Sequence, residues 1–212
     1  MMFNFFKRAI DIFLSSLLLL IFSPVIIISA VAIKLTSKGP ILADTPKRVG
    51  REGKLFYPYK FRSMIANAHN LLRTDPKFKD LYEEYKKGSY KLHNDPRWTP
   101  IGGFIRKHSI DEIPQLANVL RGEMSIVGPR PYYPDELEKQ QTIYPQTKDL
   151  VKEVLTVKPG ITGYWQVTGR SEVNFDKRIE MDAYYAKKKS IFLDILILLK
   201  TPWAMISGKG AV

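Results

Sequence analysis

The feature that most constrains this chain is an uncharged apolar stretch near its N-terminus. Between Ile12 and Ile33 there are 22 residues without a charge. At a rise of about 1.5 Å per residue, a straight helix of that length would just span a hydrocarbon core of about 30 Å. Pro24 interrupts the stretch: it lacks an N–H and its ring clashes with the carbonyl of Leu20. The sequence therefore predicts that the helix kinks or breaks beside Ser23 and Pro24.

Basic residues flank both ends of this stretch. Lys7 and Arg8 precede it, and the group that follows it consists of Lys34, Lys38, Lys47, Arg48 and Arg51. Because basic residues favour the cytoplasmic side, a segment that is basic at both ends is best satisfied when both ends stay there. This pattern favours a re-entrant helix-break-helix over a single crossing. A signal peptide is the third reading, although the apolar region exceeds the usual length of about 7 to 15 residues.

The composition narrows the class of protein further. A chain of 212 residues is long enough for one sizeable core. The absence of cysteine excludes disulfides, thiolate metal sites and cysteine nucleophiles. Three histidines, His69, His93 and His108, show no metal-binding spacing. The net charge of +12 predicts an anionic partner, and charge alone leaves nucleic acid, an anionic membrane face and a phosphorylated substrate open.

An acidic pair among basic residues is the first candidate for chemistry. Asp111 and Glu112 follow Ser109 with the spacing of a capping box, and the apolar residues after them predict a helix that ends at Gly122. On that reading the pair merely starts a helix. A second reading is that the carboxylates bind Mg²⁺ or attack phosphorus while basic residues bind phosphate. The neighbouring basic residues are Arg106, Lys107, Arg121 and Arg130.

The C-terminal apolar stretch, SIFLDILILLKTPWAMISG, is interrupted by Asp194 and Lys200 and is too broken to predict a membrane span. Because Trp203 lies near its end and a segment rich in lysine precedes it, the stretch predicts an interfacial amphipathic helix. A buried terminal helix is the alternative reading.

Between these two apolar regions the sequence predicts both strands and helices. Leu55 to Phe61 predicts a strand, and residues 77–87 predict a charged surface helix that ends at Gly88. Pro159 to Gly163 predicts a turn with two permissive glycines, which either makes a tight connection or lines a substrate site.

Three motifs give the chain a resemblance to a known family. KFRSM (60–64), SIDEIPQLANVLRGEMSIVGPRP (109–131) and VKPGITGYWQVTGR (157–170) together resemble the bacterial sugar transferases of the monotopic phosphoglycosyl transferase superfamily. The match covers nearly the whole chain. The spacer from Ala66 to Arg97, which ends in NDPR, is more similar to the catalytic domain of undecaprenyl-phosphate galactose or glucose phosphotransferases than to the shortest members of the family. Ser171 departs from the family pattern, which usually has asparagine after this arginine.

The resemblance implies a two-step transfer of a sugar 1-phosphate from a UDP-sugar to polyprenyl phosphate, with release of UMP. Asp111 would be the nucleophile that forms an aspartyl phospho-sugar, and Glu112 would orient or deprotonate the lipid phosphate or assist the metal. We expect Asp111 to stay ionised among the arginines and to contribute to binding Mg²⁺. The basic residues expected on phosphate oxygens are Lys60, Arg106, Arg130 and Arg170.

Together these inferences predict an α+β protein that is mainly helical, with a small β component and interfacial helices. Residues 1–38 would form a re-entrant membrane helix and residues 39–212 a catalytic domain on the cytoplasmic face of the bacterial inner membrane. The predicted partners are a UDP-sugar, polyprenyl phosphate and the anionic membrane surface, without nucleic acid, and the spacer helix could pair two copies into a homodimer. Two rivals stay open: a membrane-tethered basic scaffold, and direct transfer without a covalent intermediate.

Overall fold

The computed structural model describes residues 2–87, 92, 95–168 and 173–206. Helices dominate this part of the chain and the strands are short, which confirms the predicted, mainly helical class. The helices are α1 (Met2–Ile21), α2 (Ser23–Thr36), α3 (Ala68–Thr74), α4 (Lys79–Lys87), α5 (Gly102–Lys107), α6 (Gln115–Arg121), α7 (Pro134–Ile143), α8 (Lys148–Val154), α9 (Tyr164–Thr168), α10 (Phe175–Lys188) and α11 (Ile191–Ile206). The strands are β1 (Arg48–Val49), β2 (Leu55–Phe56), β3 (Ser125–Val127) and β4 (Gly160–Thr162).

The described residues divide into two compact units. The larger unit comprises residues 2–21, 47–58 and those from 115 to 206, and the smaller unit comprises residues 22–46 and those from 59 to 114. The assignment of residues 1–38 to the membrane and of 39–212 to a catalytic domain stays a prediction.

The apolar N-terminal stretch is broken where the sequence predicts a break. α1 ends at Ile21, and α2 begins at Ser23 with Pro24 in its first turn, where a missing N–H leaves no intrahelical hydrogen bond unmade. Among the described helices, none is by itself long and apolar enough to cross a membrane. The pair α1 and α2 meets that test of length and composition together and is bent by 60° at the break. A re-entrant placement in a membrane stays a prediction.

Two parallel strands join two of the motifs in the larger unit. β3 pairs with β4, with Ser125 opposite Gly160 and Val127 opposite Thr162. A Cβ atom on Gly160 would lie 2.1 Å from the backbone nitrogen of Gly128, so this approach of the two chains requires glycine. Residues 160–162 therefore form a strand, where the sequence predicted a turn, and they make a tight connection to the GPRP segment.

Each unit has its own apolar core. Val119, Met124 and Ile197 belong to one cluster of the larger unit, and a second cluster surrounds Ile179. In the smaller unit, Ile33 of α2 packs with Phe61 and Ile105, with Ile26, Ala30, Ile41, Ile101 and Ile110 around them. This packing makes α2 part of the folded smaller unit.

α1 and α11 bury polar side chains and expose many large apolar ones, although Ile197 of α11 is also buried. Asp11 and Ser15 of α1 and Asp194 of α11 are buried. Large apolar residues of the same helices are exposed, among them Phe5, Phe13, Leu20, Phe192, Leu199 and Trp203. Lys7 places its Nζ 2.8 Å from the Oδ2 of Asp194 and so joins the two polar faces. So much exposed apolar surface on two helices is unusual for a water-soluble protein.

Other predicted elements are found with shifted bounds. The charged helix is α4, preceded by a 3-10 turn at Pro76–Phe78, and the predicted strand from Leu55 is reduced to β2 plus an isolated bridge at Phe61. Gly88, the predicted end of the charged helix, lies outside the described residues.

Candidate active site

The acidic pair lies between two helices. Asp111 and Glu112 occupy a 3-10 turn, Ile110–Glu112, before α6 begins at Gln115. Ser109 has a left-handed φ of 55° and makes no side-chain capping hydrogen bond. Its N–H donates to the carbonyl of Arg106 at 3.0 Å and its carbonyl accepts from the N–H of Glu112 at 3.1 Å, so the backbone of Ser109 links α5 to the 3-10 turn without a side-chain cap. The predicted capping box is therefore wrong, whereas the predicted helix end at Gly122, with φ 80°, is confirmed.

Lys60 brings a cation to both carboxylates of the pair. Its Nζ lies 2.5 Å from Oε1 of Glu112 and 3.7 Å from Oδ2 of Asp111. The backbone sets this approach, because the N–H of Phe61 donates to the carbonyl of Asp111 at 2.9 Å. The KFRSM motif and the acidic pair are thus brought together in the smaller unit, although they are about fifty residues apart in sequence.

The two carboxylates differ in exposure. The side chain of Asp111 is 8% exposed and that of Glu112 is 37% exposed. Burial raises the pKa of Asp111; the charge of Lys60 opposes this, that of Glu112 adds to it, and that of Arg106 opposes it. The expectation that arginines keep Asp111 ionised left out burial, which is the largest cause and acts in the opposite direction. Asp111 therefore depends on Lys60 above all for its charged form.

The donor set of the pair bears on the predicted Mg²⁺. Within the described ranges, no group of three or more His, Cys, Asp or Glu side chains could hold a metal ion. Mg²⁺ in phosphoryl-transfer sites is usually bound by one or two carboxylates together with substrate phosphates and water. Asp111 and Glu112 fit a site of that kind, which is completed by substrate. Mg²⁺ itself stays a prediction.

The other predicted phosphate ligands have different positions. Arg106 belongs to α5 and is near enough to Asp111 to lower its pKa. Arg130 belongs to the larger unit, where its guanidinium lies 6.0 Å from the centroid of the Trp165 ring. Arg170 and Ser171 lie outside the described residues.

A buried polar cluster in the larger unit was missed by the sequence analysis. Asp182 has no exposed surface, and its Oδ2 accepts hydrogen bonds from the hydroxyl of Tyr132 at 2.8 Å and from the N–H of Arg130 at 3.4 Å. Its Oδ1 has no hydrogen-bond partner among the residues that the structure describes. Beside it, Nη1 of Arg178 lies 3.4 Å from Oε1 of Glu136, and both side chains are buried. This cluster holds the backbone of the GPRP segment.

Burial raises the pKa of Asp182 to about 7, despite the opposing hydrogen bonds from Tyr132 and Arg130 and the charge of Arg178. A signal for this residue exists in the sequence. Phe175, Ile179 and Asp182 follow one another at helical spacing on the buried face of α10. A carboxylate at an apolar position of an amphipathic helix indicates a buried partner.

Comparison with known proteins assigns the chain to a family. Residues 2–208 match the family model described as bacterial sugar transferase. This chain belongs to the bacterial sugar transferase family.

Several curated relatives of this sugar transferase carry more specific names. It is 44% identical over 212 residues to the undecaprenyl-phosphate galactose phosphotransferase of Salmonella typhimurium, covering 98% of this chain and 42% of the relative. It is 38% identical over 213 residues to the UDP-glucose:undecaprenyl-phosphate glucose-1-phosphate transferase of Escherichia coli, covering 97% of this chain and 41% of the relative. The exopolysaccharide production protein ExoY of Rhizobium meliloti is 38% identical over 209 residues, covering 97% of this chain and 87% of the relative. The sugar transferase chain thus spans less than half the length of the first two.

Proposed function

We propose that this chain moves a sugar 1-phosphate from a UDP-sugar to polyprenyl phosphate and releases UMP. The observation that carries the proposal is the buried carboxylate of Asp111, which lies beside the ammonium group of Lys60 in a member of the sugar transferase family. A carboxylate can act as a nucleophile toward phosphorus when a cation screens the negative charge of the substrate. The names of the relatives support undecaprenyl phosphate as the acceptor and galactose or glucose as the first sugars to test.

In the first step, a carboxylate oxygen of Asp111 attacks the phosphorus that carries the sugar. A new P–O bond forms to Asp111 while the bond from that phosphorus to the bridging oxygen breaks. UMP leaves with the bridging oxygen, and an aspartyl phospho-sugar remains on the protein. Burial suits Asp111 to this role, since a poorly hydrated carboxylate loses little solvation when it attacks.

In the second step, an oxygen of polyprenyl phosphate attacks the same phosphorus. The P–O bond to Asp111 breaks, so the carboxylate is regenerated and the sugar leaves on a lipid diphosphate. Glu112 is the more exposed carboxylate of the pair, which suits it to orient or deprotonate the incoming lipid phosphate.

Basic residues would stabilise the charge that moves between phosphate oxygens. Lys60 and Arg106 act on Asp111 in the smaller unit, and we assign Arg130 and Arg170 to phosphate by the family resemblance. Mg²⁺, which Asp111 and Glu112 would hold together with the diphosphate, would neutralise part of the substrate's negative charge when bound.

We further propose that the protein works at the cytoplasmic face of the bacterial inner membrane. The exposed apolar faces of α1 and α11 support this placement, because lipid would cover surface that water does not favour. A net charge of +12 would favour an anionic leaflet, where a lipid phosphate is met.

The test is UMP release from a panel of UDP-sugars with Mg²⁺ and undecaprenyl phosphate in detergent. Wild-type protein should release UMP from one or two sugars, and EDTA should abolish the release. With sugar-labelled donor and no lipid, the label should stay on the protein with about one UMP per active chain, as expected for a covalent intermediate.

Matched variants separate the nucleophile from general damage. Asp111→Asn should neither release UMP nor retain label, whereas Asp149→Asn, which changes an exposed carboxylate, should behave as wild type. UMP release that requires lipid and leaves no label on the protein would favour direct transfer. Normal release by Asp111→Asn would rule out this nucleophile.

A further inference from the structure

Arg62 follows Lys60 by two residues, and the proposed reaction does not use it. The side chain is buried, with 3% of the residue exposed. Its Nε donates to the carbonyl of Pro40 at 2.6 Å, its Nη1 to the carbonyl of Lys38 at 2.7 Å, and its Nη2 to the carbonyl of Ser37 at 3.0 Å. The guanidinium therefore binds three backbone carbonyl groups within residues 37–40.

That segment is the end of α2. The helix ends at Thr36, and Ser37 is its C-terminal capping residue, whose N–H donates to the carbonyl of Ile33. The carbonyl groups that Arg62 binds belong to this capping residue and to Lys38 and Pro40 just after it, and a planar guanidinium can serve several such acceptors at once. Gly39, with φ 125°, completes the fit, because a Cβ atom there would lie 3.2 Å from Nη1 of Arg62. The backbone after α2 thus wraps closely around the guanidinium.

The extended segment of residues 60–62 also reaches the acidic pair. The N–H of Arg62 donates to the carbonyl of Ile41 at 2.8 Å, and the carbonyl of Lys60 accepts from Ala43 at 2.9 Å, so residues 60–62 pair with residues 41–43. Phe61 between them donates its N–H to the carbonyl of Asp111 at 2.9 Å. Three successive residues therefore contact both the acidic pair and the end of α2.

We infer that Arg62 is a positioning residue that fixes the Asp111 carboxylate relative to the C-terminal end of α2. It acts through the backbone of residues 60–62, and it touches neither carboxylate in the contacts described above. The inference rests on the proposed function, in which Asp111 is the nucleophile, and on the predicted re-entrant placement, in which α2 is the second membrane helix. The contacts of Arg62 would then hold the reacting carboxylate at one position relative to α2.

The experiment compares Arg62→Met with a matched control, Arg97→Met. Arg97 is also 3% exposed and also lies in the smaller unit, where its Nη1 donates to the carbonyl of Ala68 at 2.7 Å and its guanidinium pairs with Asp95. Both substitutions remove a buried guanidinium and should lower the unfolding temperature. Only the first removes the contact to the end of α2.

We measure the burst of UMP release without lipid, at a temperature where both variants are folded. Arg62→Met should lower the burst rate constant about 30-fold with little change in the donor concentration for half-maximal rate, because a displaced nucleophile slows chemistry more than binding. Arg97→Met should stay within about threefold of wild type by the same reasoning. Arg62→Lys should recover part of the loss, to about fivefold below wild type, since lysine keeps the charge but serves fewer carbonyls.

A second readout does not depend on activity. The chain has no cysteine, so nitroxide labels can be placed at Leu35→Cys and Lys107→Cys, two exposed positions of the smaller unit. The distance distribution between the labels should be narrow in wild type and Arg97→Met and broader in Arg62→Met.

The two hypotheses fail in different ways. Equal burst rates in Arg62→Met and Arg97→Met, with equally narrow distances, would overturn the positioning role and leave the proposed function standing. Wild-type protein that releases no UMP from any donor would overturn the proposed function, and the label distances would then test separately whether Arg62 fixes the end of α2: a distribution in Arg62→Met as narrow as in Arg97→Met would overturn that role as well. If Arg62→Met does not fold, the same comparison is made with Arg62→Lys.

Discussion

Two buried aspartates, Asp111 in the smaller unit and Asp182 in the larger, have surroundings of different kinds. Burial raises the pKa of both. Asp111 has an ammonium group 3.7 Å from one oxygen and keeps 8% of its side chain exposed. Asp182 has no exposed surface and accepts its side-chain hydrogen bond from a neutral hydroxyl, that of Tyr132.

This difference separates a carboxylate that can react from one that holds structure. A nucleophile must be reached by its substrate and must be ionised, so a nearby cation and partial exposure serve it. A structural carboxylate needs only partners, and it can keep its proton when burial is complete. Burial alone would not distinguish the two aspartates. The difference lies in the hydrogen-bonding or charged group beside each carboxylate.

The largest expected effect contrasts the two aspartates directly. Asp111→Asn should reduce UMP release by about 10⁴-fold or more, since it removes the nucleophile, and should leave the unfolding temperature within a few degrees of wild type. Asp182→Ala should instead destabilise the protein by about 3 kcal/mol, because it leaves the Tyr132 hydroxyl and the Arg178 charge without this partner. UMP release and thermal unfolding of both variants check the contrast. The opposite pattern would exchange the two roles.

The next effect concerns the cation beside Asp111. Lys60→Met should lower UMP release by about 100-fold, because it removes the charge that favours ionised Asp111 and that acts on phosphate. Lys60→Arg should recover part of the rate. Lys47→Met, which changes an exposed lysine of the larger unit, is the control and should leave the rate unchanged. A rate in Lys60→Met equal to that of the control would remove Lys60 from the site.

The pH dependence of stability sharpens the description of Asp182. Its pKa is about 7 in the folded protein against an ordinary value of 3.8, so the folded state binds more protons than the unfolded state between these values. The free energy of unfolding should therefore fall by about 2 to 3 kcal/mol as pH rises from about 5 to about 8. Thermal unfolding at several pH values, in an Asp111→Asn background, measures this fall. Asp182→Asn in that background should show less of it, and an unchanged slope would contradict the assignment.

The smallest expected effect concerns the hydroxyl that serves Asp182. Tyr132→Phe should lower the free energy of unfolding by about 1 to 2 kcal/mol, since a fully buried carboxyl loses a hydrogen-bond donor. Tyr184→Phe changes a tyrosine that is 48% exposed and should lower it by less than about 0.5 kcal/mol. Denaturant unfolding of both variants makes the comparison, and equal values would show that the Tyr132 hydroxyl contributes nothing.

Much of the architecture could be predicted from local chemistry. The break at Ser23 and Pro24 follows from the missing N–H and the ring of proline, and the end of α6 at Gly122 follows from the freedom of glycine at positive φ. The capping box at Ser109 failed because the same short polar residue can end one helix or start the next, and spacing does not tell which.

Only part of the candidate site could be predicted from local sequence patterns. Lys60, Asp111 and Glu112 were named from their motifs, but that one ammonium group contacts both carboxylates depends on pairing between segments distant in sequence. Asp182 was missed because its role depends on Tyr132, which lies fifty residues away. The sequence shows that Arg62 is basic, but not that its guanidinium binds the carbonyl groups of residues more than twenty positions earlier.

By itself, therefore, the sequence determined the helical class, the break in the apolar N-terminal stretch and the family, because these depend on residue type at short spacing. The tertiary structure alone decided which charges are buried and which partner each of them has. Both depend on contacts between distant segments, and these contacts set the local dielectric and hence the pKa of Asp111 and of Asp182.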